Sequence, residues 1–474
     1  MSAMAWMTPP AKPTELRPAD AWRHELRLLL RSRLVCVALA LALLFLLASL
    51  AVWSGLREVA RQQQTIARLA DLQQQDLAAQ ALKHGRSGDA GSAAYYTFHS
   101  SWDPPSPAAF LALGLRDAAP YVLRIRALAL QAQLHEGESF NPELALAGRF
   151  DFAFVLVYLA PLFLIALLYE LVSGERRAGR LGTLLALPGG GRGLWLRRAG
   201  LRVGLVFACL VLPVLAGAAC SAMPLPALAS VLLCTAAYLA FWSGLSLCLA
   251  AGGRSSAAQA LSLMGCWALL TLVLPTLAQA VLARAVPVHQ GVDLMLAQRQ
   301  AVHGAWDLPR EATLAQFFRS HPEWRQTAPL PAGFHWKWYY AFQQLGDERV
   351  APQVADYRQG LIARQAWTER LGWLLPGVGV QAALHRQAET DLRAQLAYQD
   401  AVAEFHARLR AFYYPFLFQE RRFTPEDFAA QPVFRSRSAA SSWPAGSLLG
   451  LGLIAGLALG LALRALGRVR PNRS

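Results

Sequence analysis

Lysine is nearly absent from this chain of 474 residues. Only three of its 45 basic residues are lysines, Lys12, Lys83 and Lys337, and the others are Arg. A phosphate-binding loop of the GxxxxGK[ST] type needs a Gly directly before its Lys, and none of the three has one. The sequence therefore predicts a chain without an ATPase site or a bound cofactor. If ATP drives this protein, ATP and Mg²⁺ must bind to a separate subunit.

Signatures of catalytic and metal centres are also missing. His135-Glu136 begins like the helix of a zinc protease but has no second His, and no GxSxG motif occurs. The cysteines show neither a CxxC pair nor zinc-ligand spacing. They all lie in apolar runs, where Cys serves as a small packing residue. They are Cys36, Cys209, Cys220, Cys234, Cys248 and Cys266. We expect no metal site, no disulfide and no enzymatic activity in this chain.

Charged residues are scarce as well. They make up 16% of the chain, against 55% hydrophobic residues, whereas soluble domains carry about 25% charged residues. Six apolar runs approach the ~20 residues that cross ~30 Å of hydrocarbon. These runs are 34–53, 152–171, 203–222, 227–251, 257–282 and 445–463. The sequence thus predicts an all-α membrane protein with six transmembrane helices.

The distribution of arginine predicts the orientation. Most of the net charge of +15 falls in four connecting or terminal segments, and cytoplasmic segments are enriched in Lys and Arg. The four segments are 1–33, 172–202, 252–256 and 464–474. We therefore expect both termini in the cytoplasm of a bacterial inner membrane, with 54–151 and 283–444 outside. Because this charge belongs at a lipid surface, it does not indicate nucleic-acid binding.

The first outer region is expected to be helical in two places. Residues 55–80 lack Pro, and lack Gly after the first position, so the first span should continue outward as a stalk. The Gly, Ser and Pro residues of 85–107 predict a loop. A second helix is predicted over 116–135.

The second outer region has a clearer helical pattern. Asp307 before Leu308-Pro309 predicts a helix start. Two long helices are expected over 342–375 and 378–412, paired as a hairpin around the turn Pro376-Gly377. The aromatic runs that flank these helices, 334–340 and 412–416, favour a membrane-interface belt or helical core packing. A substrate or partner surface is the alternative.

Two segments on the predicted cytoplasmic side suggest contacts with other molecules. Around the N-terminus, Trp22 and the leucines at 26, 29 and 30 share one helical face, which is typical of an interfacial helix. An ordinary cationic flank of the first span is the alternative. In the loop 172–202, a charged cluster leads into a Leu-rich stretch that ends at Pro188. It suits a short helix gripped by a soluble partner, or a basic loop that only fixes topology.

Residues 175–188, ERRAGRLGTLLALP, resemble the E-R-E-x-G-T-L-x-x-L-L-x-x-P loop of ABC-2 type transporter permeases. The matching positions are Glu175, Arg176, Gly179, Leu181, Leu184, Leu185 and Pro188. Arg177 and Arg180 stand where the family usually has an acid and Thr. Residues 141–162 and 376–391 are similar to one subgroup, which carries a large extracytoplasmic region of unknown function. The resemblance covers most of residues 20–465.

The resemblance implies an ABC transporter in which two six-span permeases, identical or sister chains, meet a cytoplasmic dimer of ABC ATPases. It implies that 175–188, Arg180 included, is the coupling element in a groove of the ATPase. Glu25 and Arg27 would lie beside it on the interfacial helix that begins near Trp22. An exporter subunit is the first expectation. A mechanical transmitter that moves no substrate, and a membrane scaffold or sensor without an ATPase, are the alternatives.

The last apolar run carries glycines at GxxxG spacing, which lets helices approach closely. They are Gly446, Gly450, Gly452, Gly456 and Gly460. This spacing predicts packing either within one subunit or across a dimer.

Overall fold

The computed structural model confirms a mostly helical membrane protein. It describes residues 22, 25, 34–84, 88–135, 150–186, 191–288, 291–436 and 443–469. Among these residues, six helices are long and apolar enough to cross a membrane. They are Val35–Lys83, Phe152–Arg177, Arg192–Cys220, Leu225–Ala250, Ser256–Ala285 and Ala445–Leu466. The orientation of the chain and the kind of membrane stay predictions.

Helix α1 (Leu34–His84) is apolar in its first half and polar in its second. The predicted stalk is therefore confirmed as a continuous helix. Since an α-helix rises 1.5 Å per residue, its polar part from Trp53 to His84 extends about 46 Å beyond the apolar part. Gly55 lies at this transition. A side chain at this position would collide with the backbone of Phe110.

The region after the stalk contains strands that the sequence did not predict. Helix α2 (Ala90–Tyr96) and strand β1 (His99–Trp102) occupy the predicted loop. The helix predicted over 116–135 is wrong: a 3₁₀ turn, strand β2 (Val122–Ile125) and the short helix α3 (Leu130–His135) stand there. Pro120 interrupts the backbone hydrogen bonds that a helix would need. Strands β1 and β2 pair in antiparallel fashion, with His99 opposite Ile125.

The next apolar helices form a bundle. Helix α4 comprises Phe152–Phe154, a π turn at Val155–Leu159, and Ala160–Leu168. The short helices α5 (Ser173–Arg177) and α6 (Leu181–Ala186) follow. Helices α7 (Arg192–Cys220) and α8 (Leu225–Ala250) come next. Helix α9 comprises Ser256–Ala268, a π turn at Leu269–Val273, and Leu274–Ala285. Each π turn lies just before a proline, Pro161 or Pro275, whose missing N–H favours such a widened turn.

Beyond the bundle, polar helices are joined by short connections. They are α10 (Gly291–Gly304), α11 (Arg310–Ser320), α12 (Trp336–Leu371), α13 (Pro376–Ala388), α14 (Leu392–Phe418) and α15 (Pro425–Ala429). Helix α11 begins three residues after the predicted start at Asp307. The long helix predicted over 378–412 is wrong in one respect, because it breaks into α13 and α14. Glu389 adopts φ +54°, and the side chain of Asp391 then caps α14 by accepting from Ala394 N at 3.1 Å.

Two large apolar cores organise these elements, and a small cluster of Ala305, Trp338 and Phe342 accompanies them. The bundle core joins α1, α4, α7, α8 and the last helix, α16 (Ala445–Leu466). Helices α8 and α16 make the most extensive contact, since Gly244 lets the backbone of α16 approach at Ala458 and Leu459. The second core joins aliphatic side chains of the first predicted outer region, such as Ile125, to aromatic side chains of the second, such as Phe317 and Phe405. We call the body around it the head; it comprises residues 56–135 and 291–436 apart from 108–112 and α13, which pack into the bundle core.

The aromatic run at the start of α12 belongs to the head. Trp338, Tyr340 and Phe342 are buried there. The opposite end of α12 meets the bundle, where Arg364 Nε donates to Val286 O at 2.8 Å. From Arg364 back to Trp338 the helix rises about 39 Å. The core-packing interpretation is therefore confirmed for this run.

Candidate coupling site

Arg198 on α7 lies at the centre of the candidate site. Its Nε donates to Glu25 Oε2 at 3.0 Å, and its Nη1 donates to Glu175 Oε1 at 2.9 Å. The side chains of Arg198, Glu25 and Glu175 are 13%, 10% and 17% exposed. Glu175 also accepts from Arg180 Nε at 2.8 Å. We call these four residues the coupling cluster, because they tie Glu25 of the N-terminal segment, α5 and α7 together.

Sequence reasoning missed Arg198. It is separated from Glu25 by 173 positions and from Glu175 by 23, and no motif spacing relates the three. The one available signal was the pair Arg197-Arg198 at the edge of an apolar run, which also fits a simple topology determinant. The structure thus adds the residue that joins the two segments predicted to contact a partner.

Trp22, in the predicted interfacial helix, packs on α7. Trp22 and Glu25 are both helical. A Cβ at Gly200 of α7 would lie 3.2 Å from the Trp22 ring, and Trp22 remains 41% exposed. An indole that packs on one side and stays half exposed on the other suits a membrane interface. Arg27 lies outside the described residues.

A sharp turn connects α5 to α6. Gly179 forms it with φ +69°, a conformation that favours glycine, and nothing described lies within 4 Å of where its Cβ would be. Backbone geometry, rather than lack of space, therefore requires a glycine at this position. On the other side of the turn, Leu181 is 3% exposed and belongs to the bundle core.

Helix α6 has one buried side and one open side. Leu184 and Leu185 are half-buried, and Leu185 packs on the bundle core beside Leu181. Gly182 and Thr183 are exposed, as are Gly179 and Arg180 before them. The open side therefore offers small residues and one cation to a partner. Pro188 lies outside the described residues.

Helix α5 also contacts the start of α9. Ser173 Oγ and Ser256 Oγ are hydrogen-bonded at 2.8 Å. The guanidinium of Arg176 would lie 3.6 Å from a Cβ at Gly253, and its Nε and Nη1 are buried without a partner among the described residues. The site therefore reaches α7 through Arg198 and α9 through Ser173.

The glycines of α16 divide into two groups. Gly450 packs against Trp373, whose ring would lie 3.2 Å from a Cβ at this position. The others have no described atom within 4 Å of where a Cβ would stand. They are Gly446, Gly452, Gly456 and Gly460. Within the described subunit, packing therefore uses Gly450, and the other glycines are open to lipid or to another chain.

A second polar contact, which the sequence did not predict, connects the head to the bundle. We call it the neck. Ser106 Oγ donates to Ala388 O at 2.6 Å, and Thr390 Oγ1 donates to Ala112 O at 2.8 Å. Leu113 N donates to Oδ2 of Asp151 at 3.1 Å. Asp151 is also the N-cap of α4, so the neck holds the first turn of that helix directly.

Burial shifts the pKa values of several neck groups. The pKa of Glu389 rises to about 7, chiefly through burial and then through the nearby charges of Asp103 and Asp391. Burial also raises the pKa of Asp103, although Arg116 opposes the rise. Burial lowers the pKa of His385 to about 4. Among the described residues, no group of three or more His, Cys, Asp or Glu side chains is placed to hold a metal ion.

One family model matches the chain. It is described as a domain of unknown function (DUF3526), and it matches residues 293–437, which correspond to α10–α15. No curated protein and no solved structure matches the chain. The match is confined to these helices and carries no activity with it.

Proposed function

We propose that this chain is the membrane-spanning permease subunit of an ABC transporter, an exporter driven by a separate ATP-binding subunit. The coupling cluster is the observation that carries the proposal. It fixes Glu25 of the N-terminal segment, α5 and α7 to one another beside the exposed residues of α6. The partners are a cytoplasmic ABC ATPase dimer, a second permease copy or sister permease, and membrane lipid.

The geometry of α6 suits the transfer of force. A partner can reach its open side at Gly182 and Thr183, while Leu181 on the opposite side is inserted in the bundle core. Protein interiors are close-packed and transmit strain rather than absorb it. A displacement of α6 would therefore move the helices around Leu181. Through Arg198, the same displacement would reach Glu25 of the N-terminal segment.

Association with the ATPase tests the proposal. The chain is co-expressed with ABC ATPases from the same genome, and complexes are purified through an affinity tag on the permease. Glu175→Ala removes two ion pairs of the coupling cluster, and Gly179→Trp places a bulky ring in the turn before α6. We expect both variants to insert normally but to lose ATPase association or stimulated ATP turnover.

Matched controls come from the head. Glu311→Ala removes an exposed acid, and Gly304→Trp adds a ring where nothing described lies within 4 Å of the Cβ position. Both should leave association and turnover unchanged. If Glu175→Ala and Gly179→Trp behave like these controls, α5–α6 is not the coupling element and the proposal is wrong.

The neck favours a second candidate, a mechanical transmitter that passes ATPase motion to the head without moving a substrate. Helix α13 lies between two helices of the head in the sequence, yet Val380, Leu384 and Ala388 lie in the bundle core. Its residue Gly377 lies next to Val157, in the π turn of α4, and to Tyr238 of α8. A helix held in this way must follow any movement of the bundle.

A crosslink separates the two candidates. Ser106 and Ala388 are replaced by Cys in a background without the six native cysteines, and the pair is oxidised. In a transmitter, α13 follows the bundle and shifts Ala388 relative to Ser106, so oxidation should abolish both the ATP-dependent changes in the head and stimulated ATP turnover, and reduction should restore both. An exporter with a rigid neck should retain stimulated ATP turnover in both states.

A further inference from the structure

A cavity of about 400 Å³ opens in the side of the head. Helix α14 forms its floor with Ala403, Ala407 and Ala411, which are spaced four residues apart and therefore lie on one helical face. Three methyl side chains in this row leave the space that larger residues would fill. The cavity is far from the coupling cluster and plays no part in the proposed function.

The one cation in the lining is already neutralised. Arg410 Nη2 donates to Asp347 Oδ2 at 2.7 Å and to Leu128 O at 2.9 Å. Asp347 also accepts from Leu130 N at 2.8 Å, so it caps α3 as well. This pair holds elements of the head together and leaves the inner end of the cavity with no net charge. His406 beside it donates to Leu128 O at 2.7 Å, and burial lowers its pKa well below the ordinary value, so it is neutral at pH 7.

The rim, by contrast, carries two carboxylates beside one imidazole, and an aromatic wall. His321 lies between two carboxylates, 2.6 Å from Glu348 and 3.4 Å from Glu323. Glu323 is 56% exposed. Trp324 forms the wall next to them, held by stacking on Phe418 with ring centroids 5.7 Å apart. Carboxylates beside an indole face are the groups that bind organic cations.

We propose that this cavity binds a ligand that carries an ammonium or guanidinium group on a short aliphatic stem. The cation would lie at the rim against Glu323 and Trp324, and the stem would extend over the alanine floor of α14. The same chemistry occurs in free amines and in Lys or Arg side chains of another polypeptide.

Titration calorimetry on the full chain in detergent tests the proposal. The probes are agmatine, as a free guanidinium compound, and the tripeptides Gly-Arg-Gly and Gly-Leu-Gly, both acetylated and amidated so that only the Arg peptide carries a charge. Binding of agmatine and Gly-Arg-Gly supports a general cation site, and binding of Gly-Arg-Gly alone assigns the source to a polypeptide. If neither cationic probe binds, or if Gly-Leu-Gly binds equally well, the proposal is wrong.

Two variants locate the binding within the cavity. Glu323→Gln should weaken cation binding about two- to fivefold, the range for one exposed ion pair. Ala407→Leu fills the floor and should weaken it at least tenfold. Glu311→Gln, an exposed acid on α11, is the matched control and should change nothing. Equal affinities for all three variants would place the probes elsewhere and overturn the assignment, provided that thermal unfolding shows each variant folded.

Discussion

Arg198 gives the sharpest test of the coupling cluster. Arg198→Ala leaves the carboxylates of Glu25 and Glu175 close together, 10% and 17% exposed, without the cation that they share. Breaking a fully buried pair by removing one partner costs about 3–5 kcal/mol. The remaining exposure and the surviving bond from Arg180 to Glu175 reduce this cost. We therefore expect a loss of about 2–3 kcal/mol in the free energy of unfolding.

Arg180→Ala is the matched comparison, because Arg180 pairs with the same carboxylate but is 67% exposed. An exposed ion pair contributes at most about 1 kcal/mol, so this variant should be nearly neutral. Denaturant unfolding in detergent, followed by tryptophan fluorescence, measures both variants. Adding Glu25→Gln to Arg198→Ala should recover part of the loss, since it removes one uncompensated charge. Equal losses for Arg198→Ala and Arg180→Ala would refute the reasoning.

Two further predictions concern the neck and the seat of the head on the bundle. The folded-state pKa of Glu389 is raised to about 7, so the folded state binds this proton more tightly than the unfolded chain does. The contribution of Glu389 to stability therefore falls as pH rises from about 4.5 to 7. Glu389→Gln should remove that contribution, so the difference in melting temperature between variant and parent should grow over this range; a constant difference would contradict the prediction. Phe110 is fully buried between Gly55 and Gly217. Phe110→Ala should therefore lower the free energy of unfolding by about 3–5 kcal/mol. Phe334→Ala, which removes a 51% exposed ring, should lower it much less in the same denaturant assay.

The elements that could be predicted from the sequence are those that local physics determines. An apolar run of bilayer length is helical wherever it lies, because its backbone hydrogen bonds must be satisfied within the helix. The stalk follows from the same local reasoning, since Gly and Pro are absent from 56 to 84. The predicted boundaries of the long head helices were less accurate. Helix α12 begins at Trp336 rather than at residue 342, because its first turns pack into an aromatic core that only the folded head creates.

Long-range pairing could not be predicted in this way. Strand β1 finds its partner about 20 residues later, and neither strand exceeds four residues, too short for a clear alternation of apolar and polar positions. The one sequence signal for the break is Asp391, a preferred N-cap residue, because the positive φ of Glu389 is uncommon for a non-glycine residue and could not be expected. Helix α13 was assigned to the same amphipathic stretch as α14. The apolar face of α13 in fact packs on the bundle. The period of a hydrophobic pattern identifies an amphipathic helix but not the surface that its apolar face will contact.

The position of α13 makes the two halves of the molecule one mechanical unit. Leu181 of α6 and Ala388 of α13 belong to the same bundle core, so contiguous packing connects the exposed turn at Gly179 to the neck. From Ala388 the path continues through Ser106 into the head and through Thr390 to Ala112. A close-packed protein interior has few arrangements of low energy. A small shift at one end therefore tends to switch the entire packed region from one of these arrangements to another. If a partner displaces α6, the head should therefore respond even when the membrane helices carry no substrate. For this reason the neck crosslink, rather than a search for the substrate, is the experiment that distinguishes the two proposed functions.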